Sequence, residues 1–328
     1  MLLCVFLLAA GYGVFWLFEN MSIGADGSVR VNLPGFASPK PEVPEPPNPA
    51  DLVVVNPSGA LSPTPAPTKT PAPTASPPPA SPPPASAGRA AFVPPGILSD
   101  SAAIETFKGD MNGFGINTLV LDYKSNGGSV LSDEEFAKAA QAFGDGFKYV
   151  ARLSVFLDDA APRENRSWGV KHTEGGNWIN TGGRWLNPFS VPASDYCLSL
   201  IGAAARLDVD GILLDNLCFP WYGFTDQISY GENESVSRVE TINDFCARLD
   251  GLDIKVPIYI VAVPQAAEAG LDETAGQSLG ALTSRFDAVY ADYGESPPAD
   301  SSVFPIFAGT PDEDFAGRSS FILLNEEN

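Results

Sequence analysis

Apolar residues recur from residue 91 onward as short runs separated by polar, turn-rich stretches. The runs cover residues 91–94, 118–123, 149–156, 211–215, 256–263, 288–293, 303–307 and 320–324. Most are rich in Val, Ile, Leu, Phe or Tyr, and several are continuous rather than alternating. Continuous apolar runs suit strands buried on both faces of a parallel sheet. Between them apolar positions return at helical spacing. Ser132 and Glu135 predict a capping box at the head of DEEFAKAAQAF. Ser237 and Glu240 predict another, with Val236, Val239, Ile242, Phe245, Cys246 and Leu249 on one face and a stop at Gly251. Residues 195–207 predict a third helix that runs into the strand at 211–215. Eight strands alternating with helices over residues 91–328 predict an α/β fold, a (β/α)8 TIM-like barrel, whose usual size is about 250 residues. An open doubly wound sheet is the alternative, but no GxGxxG or Walker A stretch favours its nucleotide-binding version.

The pattern before residue 91 is different. Residues 1–18 carry no charged side chain and approach the ~20 apolar residues of a membrane span. A cleaved signal is the rival reading, but Ala9-Ala10-Gly11 is a poor cleavage site because Tyr12, Phe15, Trp16 and Phe18 follow. The expectation is an uncleaved transmembrane anchor. It places the protein in the cell membrane as a single-pass chain with its C-terminal domain extracellular. Residues 19–56 are mixed and turn-rich, with one short strand expected at 52–55 and no stable domain. Residues 57–90 are Pro/Ala/Ser/Thr-rich and cannot bury a core. They predict an extended spacer rising ~3.1 Å per residue.

Composition sharpens this division. Of 31 prolines, 20 fall between Pro39 and Pro95. Residues 1–91 hold 4 basic and 5 acidic side chains, so almost all of the net charge of −21 belongs to the C-terminal domain. That acidity argues against nucleic acid as a partner, since phosphate backbones require Lys and Arg, and against anionic lipid head groups. Four cysteines are too few for a disulfide scaffold of this length, and one histidine, His172, with no CxxC pair argues against a zinc site. No metal or cofactor is expected.

In a barrel of this kind the active site lies at the C-terminal strand ends. Those ends carry Asp122-Tyr123-Lys124, Asp158-Asp159, Asp215-Asn216 and Asp292-Tyr293. Two carboxylates across a cleft are what glycoside hydrolysis requires, ~5–5.5 Å apart for retention and ~6.5–9.5 Å for inversion. Asp215 follows the apolar Gly211-Ile212-Leu213-Leu214 and leads the candidates, with Asp122 and Asp292 behind it. The competing role for Asp215 is a loop cap or an ion pair with Lys124 or Arg152. Residues 158–190 form a long insertion that holds Trp168, Trp178 and Trp185, with a hairpin turn expected at Thr181-Gly182-Gly183. Indole rings suit stacking on sugars, although they serve equally to close a core. Trp221-Tyr222 offers a further platform.

The runs NTLVLDYKSNGG, YVARLSVFLDD, GGRWLNPFSVPASDYCLSLIGAA and VDGILLDNLCFP together resemble the glycosyl hydrolase-type TIM-barrel domain family of bacterial cell-surface proteins. The resemblance runs over roughly residues 91–328. The family's Asp-x-Lys strand end is matched by Asp122 and Lys124. Its Ala-Arg strand leading to Phe-x-Asp is matched by Ala151, Arg152, Phe156 and Asp158. Its Trp-x-(Asp/Asn)-Pro stretch is matched by Trp185, Asn187 and Pro188. In the strand-four signature Asp215, Phe219 and Pro220 match, while Gly211, Asn216 and Cys218 stand where the family has Glu, Tyr and Arg. Strand five ends Ala262-Val263-Pro264 without the family's Asp. These departures are expected to cluster at the site.

The resemblance implies a glycoside hydrolase acting on an extracellular or cell-wall polysaccharide, with membrane contact through the N-terminal segment. Asp215 is expected as nucleophile or stabiliser and Asp122 or Asp292 as acid/base. Tyr123, Lys124, Arg152, Asp158, Trp178, Trp185, Asn187, Asn216 and Trp221 are expected to bind the glycan. The alternative is a barrel that binds carbohydrate or organises the wall without catalysis.

Overall fold

A computed structural model of the chain describes residues 21–23, 29–31, 88–292, 302–308 and 320–324. The N-terminal unit contributes two paired antiparallel strands, Met21–Ile23 and Val29–Val31. The strand expected at 52–55 and the Pro-rich spacer up to residue 87 lie outside the described residues.

The second unit holds a closed barrel of eight parallel strands in sequence order, with β8 pairing back to β1. The strands are β1 (Arg89–Phe92), β2 (Thr118–Lys124), β3 (Lys148–Ser154), β4 (Gly211–Asp215), β5 (Ile258–Ala262), β6 (Ala288–Asp292), β7 (Val303–Ala308) and β8 (Phe321–Leu324). The longer helices between them are α1 (Ser101–Gly113), α2 (Asp133–Phe143), α3 (Val191–Ala204) and α4 (Arg238–Leu249). Shorter ones are α5 (Pro264–Ala269) and α6 (Leu279–Arg285). The expected fold class is therefore observed, and the doubly wound sheet is not.

Two buried clusters explain the continuous apolar runs. Ala90, Phe92, Val120, Val150, Leu213, Tyr259, Ala288, Tyr290, Ile306 and Ile322 pack with one another inside the barrel. Their strand neighbours, such as Leu119, Leu121, Ala151, Leu153, Ile212 and Leu214, face outward onto the helices. Side chains alternate along a strand, so burying both faces forces both parities to be apolar. Tyr259 is bulky enough that a Cβ on Gly211 would come within 2.7 Å of its ring. Gly211 thus lies low in the barrel, at the opposite end of β4 from Asp215. Its departure from the family pattern removes no group from the barrel mouth, contrary to the expected clustering.

The helices follow their local signals. Ser132 Oγ accepts from the Glu135 amide at 3.2 Å and Glu135 Oε2 accepts from the Ser132 amide at 2.8 Å, a complete capping box on α2. At α4 Ser237 Oγ accepts from the Glu240 amide. The helix begins at Arg238 and buries Ile242, Phe245, Cys246 and Leu249. Val236 precedes it and is exposed, so it is not part of the buried face. Helix α3 starts earlier than expected, because Ser190 caps it and Pro192 sits in its first turn.

No helix among the described residues is long and apolar enough to cross a membrane. This corrects the expected single-pass membrane placement. Residues 1–18, read as its anchor, lie outside the described residues.

Candidate active site

The geometry of the mouth follows from the parity of the barrel interior. Stepping two residues along each strand from an inward-facing side chain reaches the next inward layer. From Val120 the step reaches Asp122, from Val150 Arg152, from Leu213 Asp215 and from Tyr290 Asp292. From Ala90 it reaches Phe92, and from Tyr259 it reaches Val261. This layer lines a cavity of about 380 Å³, together with Ile306, Val93 and the β2 loop residues Ser125, Asn126 and Gly127. Three acidic side chains and one basic side chain therefore meet over an apolar floor at the C-terminal end of the barrel.

Arg152 organises this layer. Its Nη1 donates to Asp122 Oδ1 at 2.7 Å. Its Nε and Nη2 both donate to Asp215 Oδ2, at 3.0 and 2.5 Å. Nη2 also donates to Asn126 Oδ1 at 3.0 Å, and the guanidinium carbon stands 5.5 Å from the centre of the Phe92 ring. A guanidinium bonded at both ends spans about 7–8 Å, which bounds the distance between the bonded oxygens of Asp122 and Asp215. Burial opposes the charge of Arg152. The charges and hydrogen bonds of Asp215 and Asp122 more than offset it, and the pKa rises above the ordinary arginine value.

Asp215 is fixed from its other side as well. The Asn216 amide donates to Asp215 Oδ1 at 2.7 Å. Asn216 has a φ of 52°, a left-handed conformation that Asn tolerates better than most side chains. Its side-chain amide donates to Ser154 Oγ at 3.1 Å and lies 3.4 Å from Asn126 Oδ1. Asn126 is thus a site residue that sequence reasoning missed. The available signal was the Ser125-Asn126-Gly127-Gly128 stretch directly after the Asp122 strand end.

Several expected ligand contacts are placed elsewhere. A register shift between Asp122 and Lys124 marks a bulge in β2, and bulges re-aim side chains. Lys124 pairs with Asp158 at 3.0 Å, with side chains 1% and 0% exposed. Its Nζ also donates to Ser154 O at 2.5 Å. Asp158 Oδ1 accepts from the amides of Ala160 and Ala161. Lys124 and Asp158 therefore tie β2 to the insertion and do not face a ligand. Tyr123 is buried against Phe136 of α2. Asn187 Oδ1 accepts from the Phe189 amide in the turn before α3.

Trp178 and Trp185 are also corrected as sugar platforms, since both are buried. The hairpin is present, with Ile179–Asn180 pairing Gly183–Arg184. It packs against the loop after β4, so that Trp178 Nε1 donates to Phe224 O at 3.1 Å. Trp185 Nε1 lies 3.3 Å from Asn180 Oδ1. Trp221 is half-buried, edge-on to Tyr222 with ring centres 5.1 Å apart. His172 is occupied by Gln227 and the Glu174 amide.

No group of His, Cys, Asp or Glu among the described residues is arranged to hold a metal ion. Arg152 occupies the space between two of the three carboxylates.

No protein of curated function matches the sequence. Among solved structures, a hypothetical protein of Ruminiclostridium thermocellum is 19% identical with a TM-score of 0.44, over 52% of this chain and 95% of that one. The GH36 α-galactosidase AgaB of Geobacillus stearothermophilus is 10% identical with a TM-score of 0.45, over 73% of this chain. An α-galactosidase of Lactobacillus brevis is 14% identical with a TM-score of 0.44, over 70% of this chain. The chain spans only 38% and 35% of the length of those two enzymes. The family profile described as putative glycosyl hydrolase domain matches residues 101–291, more than half of the sequence, and the chain belongs to that family.

Proposed function

We propose that the barrel mouth hydrolyses glycosidic bonds, with Asp215 as nucleophile or base and Asp292 as the proton donor. The observation that carries this reading is the convergence of Asp122, Asp215 and Asp292 on one cavity at the C-terminal strand ends. Asp215 and Asp292 stand on β4 and β6, two strand spacings or about 10 Å apart at the backbone. That leaves room for the carboxyl separations that hydrolysis uses. Asp292 would protonate the leaving oxygen as the glycosidic bond breaks, while Asp215 attacks the anomeric carbon or activates water. Asp122 accepts from a permanent cation, which suits an anchor for Arg152 better than a proton donor.

The test is reducing-sugar release by the full chain on α-glucans, β-glucans and purified cell-wall polymers. Asp215→Asn is expected to abolish release and retain glycan binding, and Asp292→Asn to lower release most for poor leaving groups. Unchanged turnover in Asp215→Asn overturns the assignment. A second reading is a carbohydrate-binding barrel without turnover. It is favoured by the engagement of both Asp122 and Asp215 by Arg152 and by the strand-five end Ala262-Val263-Pro264. Saturable binding with no product from any glycan would select it.

A further inference from the structure

We propose that Asn126 reads the hydroxyl on the sugar carbon next to the anomeric carbon, donating to it through Nδ2. The mouth then selects sugars oxygenated at that carbon and discriminates against 2-deoxy sugars. The proposal rests on the glycan-directed reading of the mouth, with Asp215 at the anomeric carbon, and names a specificity-determining residue for it.

The orientation of the Asn126 amide is fixed by its neighbours. Arg152 Nη2 donates to it at 3.0 Å, and a guanidinium has no acceptor. The atom that faces Arg152 is therefore Oδ1, and Nδ2 is turned away from Arg152. The Asn216 side-chain amide lies 3.4 Å from the same oxygen. Its own orientation is fixed in turn. Ser154 Oγ spends its proton on Leu157 O at 2.8 Å and so accepts from Asn216 Nδ2. The Asn126 backbone is also held, since its carbonyl accepts from the Asp159 amide at 3.2 Å. Asn126 is half-buried and lines the cavity beside Asp122, Arg152 and Asp215. Its side-chain bonds among the described residues fall on Oδ1, so Nδ2 is the atom presented to a ligand.

The same guanidinium nitrogen sets where that ligand atom lies. Arg152 Nη2 also donates to Asp215 Oδ2, at 2.5 Å. One nitrogen serves both oxygens, so Asn126 Oδ1 and Asp215 Oδ2 are no more than about 5.5 Å apart. A sugar whose anomeric carbon approaches Asp215 brings two oxygens toward the Asn126 amide, the ring oxygen and the 2-hydroxyl. The ring oxygen gains positive charge in the oxocarbenium-like transition state, and an N–H donor there would oppose the reaction. Hydrogen bonds to the 2-hydroxyl strengthen in that transition state, so the donor serves that group.

The test measures binding to the full chain by calorimetry. The probes are 4-nitrophenyl glycosides of glucose, mannose and galactose in both anomeric forms, with their 2-deoxy and 2-fluoro counterparts. At least one parent glycoside is expected to bind about tenfold more tightly than its 2-deoxy form, the worth of one hydrogen bond. Asn126→Ala is expected to lose that advantage on the parent and nothing on the 2-deoxy form. Asn126→Asp keeps an oxygen on Arg152, so it tests the amide nitrogen without removing the contact that holds the loop. A carboxylate can accept from the 2-hydroxyl but repels fluorine. Asn126→Asp is therefore expected to hold the parent and to lose the 2-fluoro form relative to wild type. Equal affinity of wild type for parent and 2-deoxy forms overturns the proposal, as does binding of no glycoside. An equal loss on parent and 2-deoxy forms in Asn126→Ala, or an unchanged ranking of all three forms in Asn126→Asp, overturns it as well. Nitrophenol release is scored separately. Binding that depends on the 2-hydroxyl without release leaves the proposal standing and removes the hydrolase assignment. Release whose parent to 2-deoxy ratio is the same in wild type and Asn126→Ala does the reverse.

Discussion

Asp122 and Asp215 share one guanidinium: Arg152 donates through Nη1 to the first at 2.7 Å and through Nη2 to the second at 2.5 Å. The three residues lie on the adjacent strands β2, β3 and β4, so the barrel ladder itself sets their spacing. Arg152 lies between the two carboxylates, and its side chain is only 11% exposed.

Removing that cation should therefore cost both fold and site. Arg152→Met leaves two partly buried carboxylates facing one another without the cation that bonds both of them. Breaking such a pair costs about 3 kcal/mol, readable as a lower urea midpoint. Arg152→Lys keeps the charge but not the fork that reaches both carboxylates. It is expected to recover much of the stability and little of any turnover. Equal turnover in the lysine variant would remove the positioning role.

The buried pair of Lys124 and Asp158 should behave as structure alone. Lys124→Met strands a charged Asp158 in the interior and is expected to cost about 3–5 kcal/mol. Adding Asp158→Asn removes that charge. The Asn amide oxygen still accepts from the amides of Ala160 and Ala161, as Asp158 Oδ1 does. The double variant should therefore be more stable than Lys124→Met alone, which urea unfolding of both would show. A double variant no more stable than the single one would contradict this account.

Trp185 tests the difference between a ligand platform and a core residue. It is fully buried, so Trp185→Ala should cost about 3–5 kcal/mol through the cavity it leaves. Trp185→Phe should keep most of the packing and leave glycan affinity unchanged. A loss of affinity in the Phe variant, at unchanged stability, would restore Trp185 to the site.

These cases show which parts of the molecule are written locally. The barrel was readable because its strands are buried on both faces, which makes most of the eight runs rich in apolar residues and several of them continuous. Asp122, Arg152, Asp215 and Asp292 were readable because inward parity and strand ends are properties of one segment each. The burial of Trp178 and Trp185 depends on the loop after β4 closing over the hairpin, a contact between residues 46 positions apart. The turning of Lys124 depends on a bulge that no residue type announces. Asn126 enters the site only because β2 and β3 are neighbours in space.

The three cysteines of the barrel provide a pH-dependent test. Cys197, Cys218 and Cys246 are all buried and unpaired. Burial pushes the Cys197 thiol up to about 12 and the Cys246 thiol up to about 11, and raises Cys218 well above its usual value. A thiol whose pKa is higher folded than unfolded favours the folded state while it stays protonated. That contribution is whole below the ordinary thiol value of 9.0 and is lost as pH rises through the folded values. Stability should therefore fall between about pH 9 and pH 12, and less steeply in Cys197→Ala compared with its own neutral-pH stability. Native protein at pH 8 should leave these three thiols unreactive toward Ellman's reagent, because the thiolate is the nucleophile. All three should react at once on unfolding in urea. Rapid reaction of Cys218 in the native state would instead mark it as open to the neighbouring site.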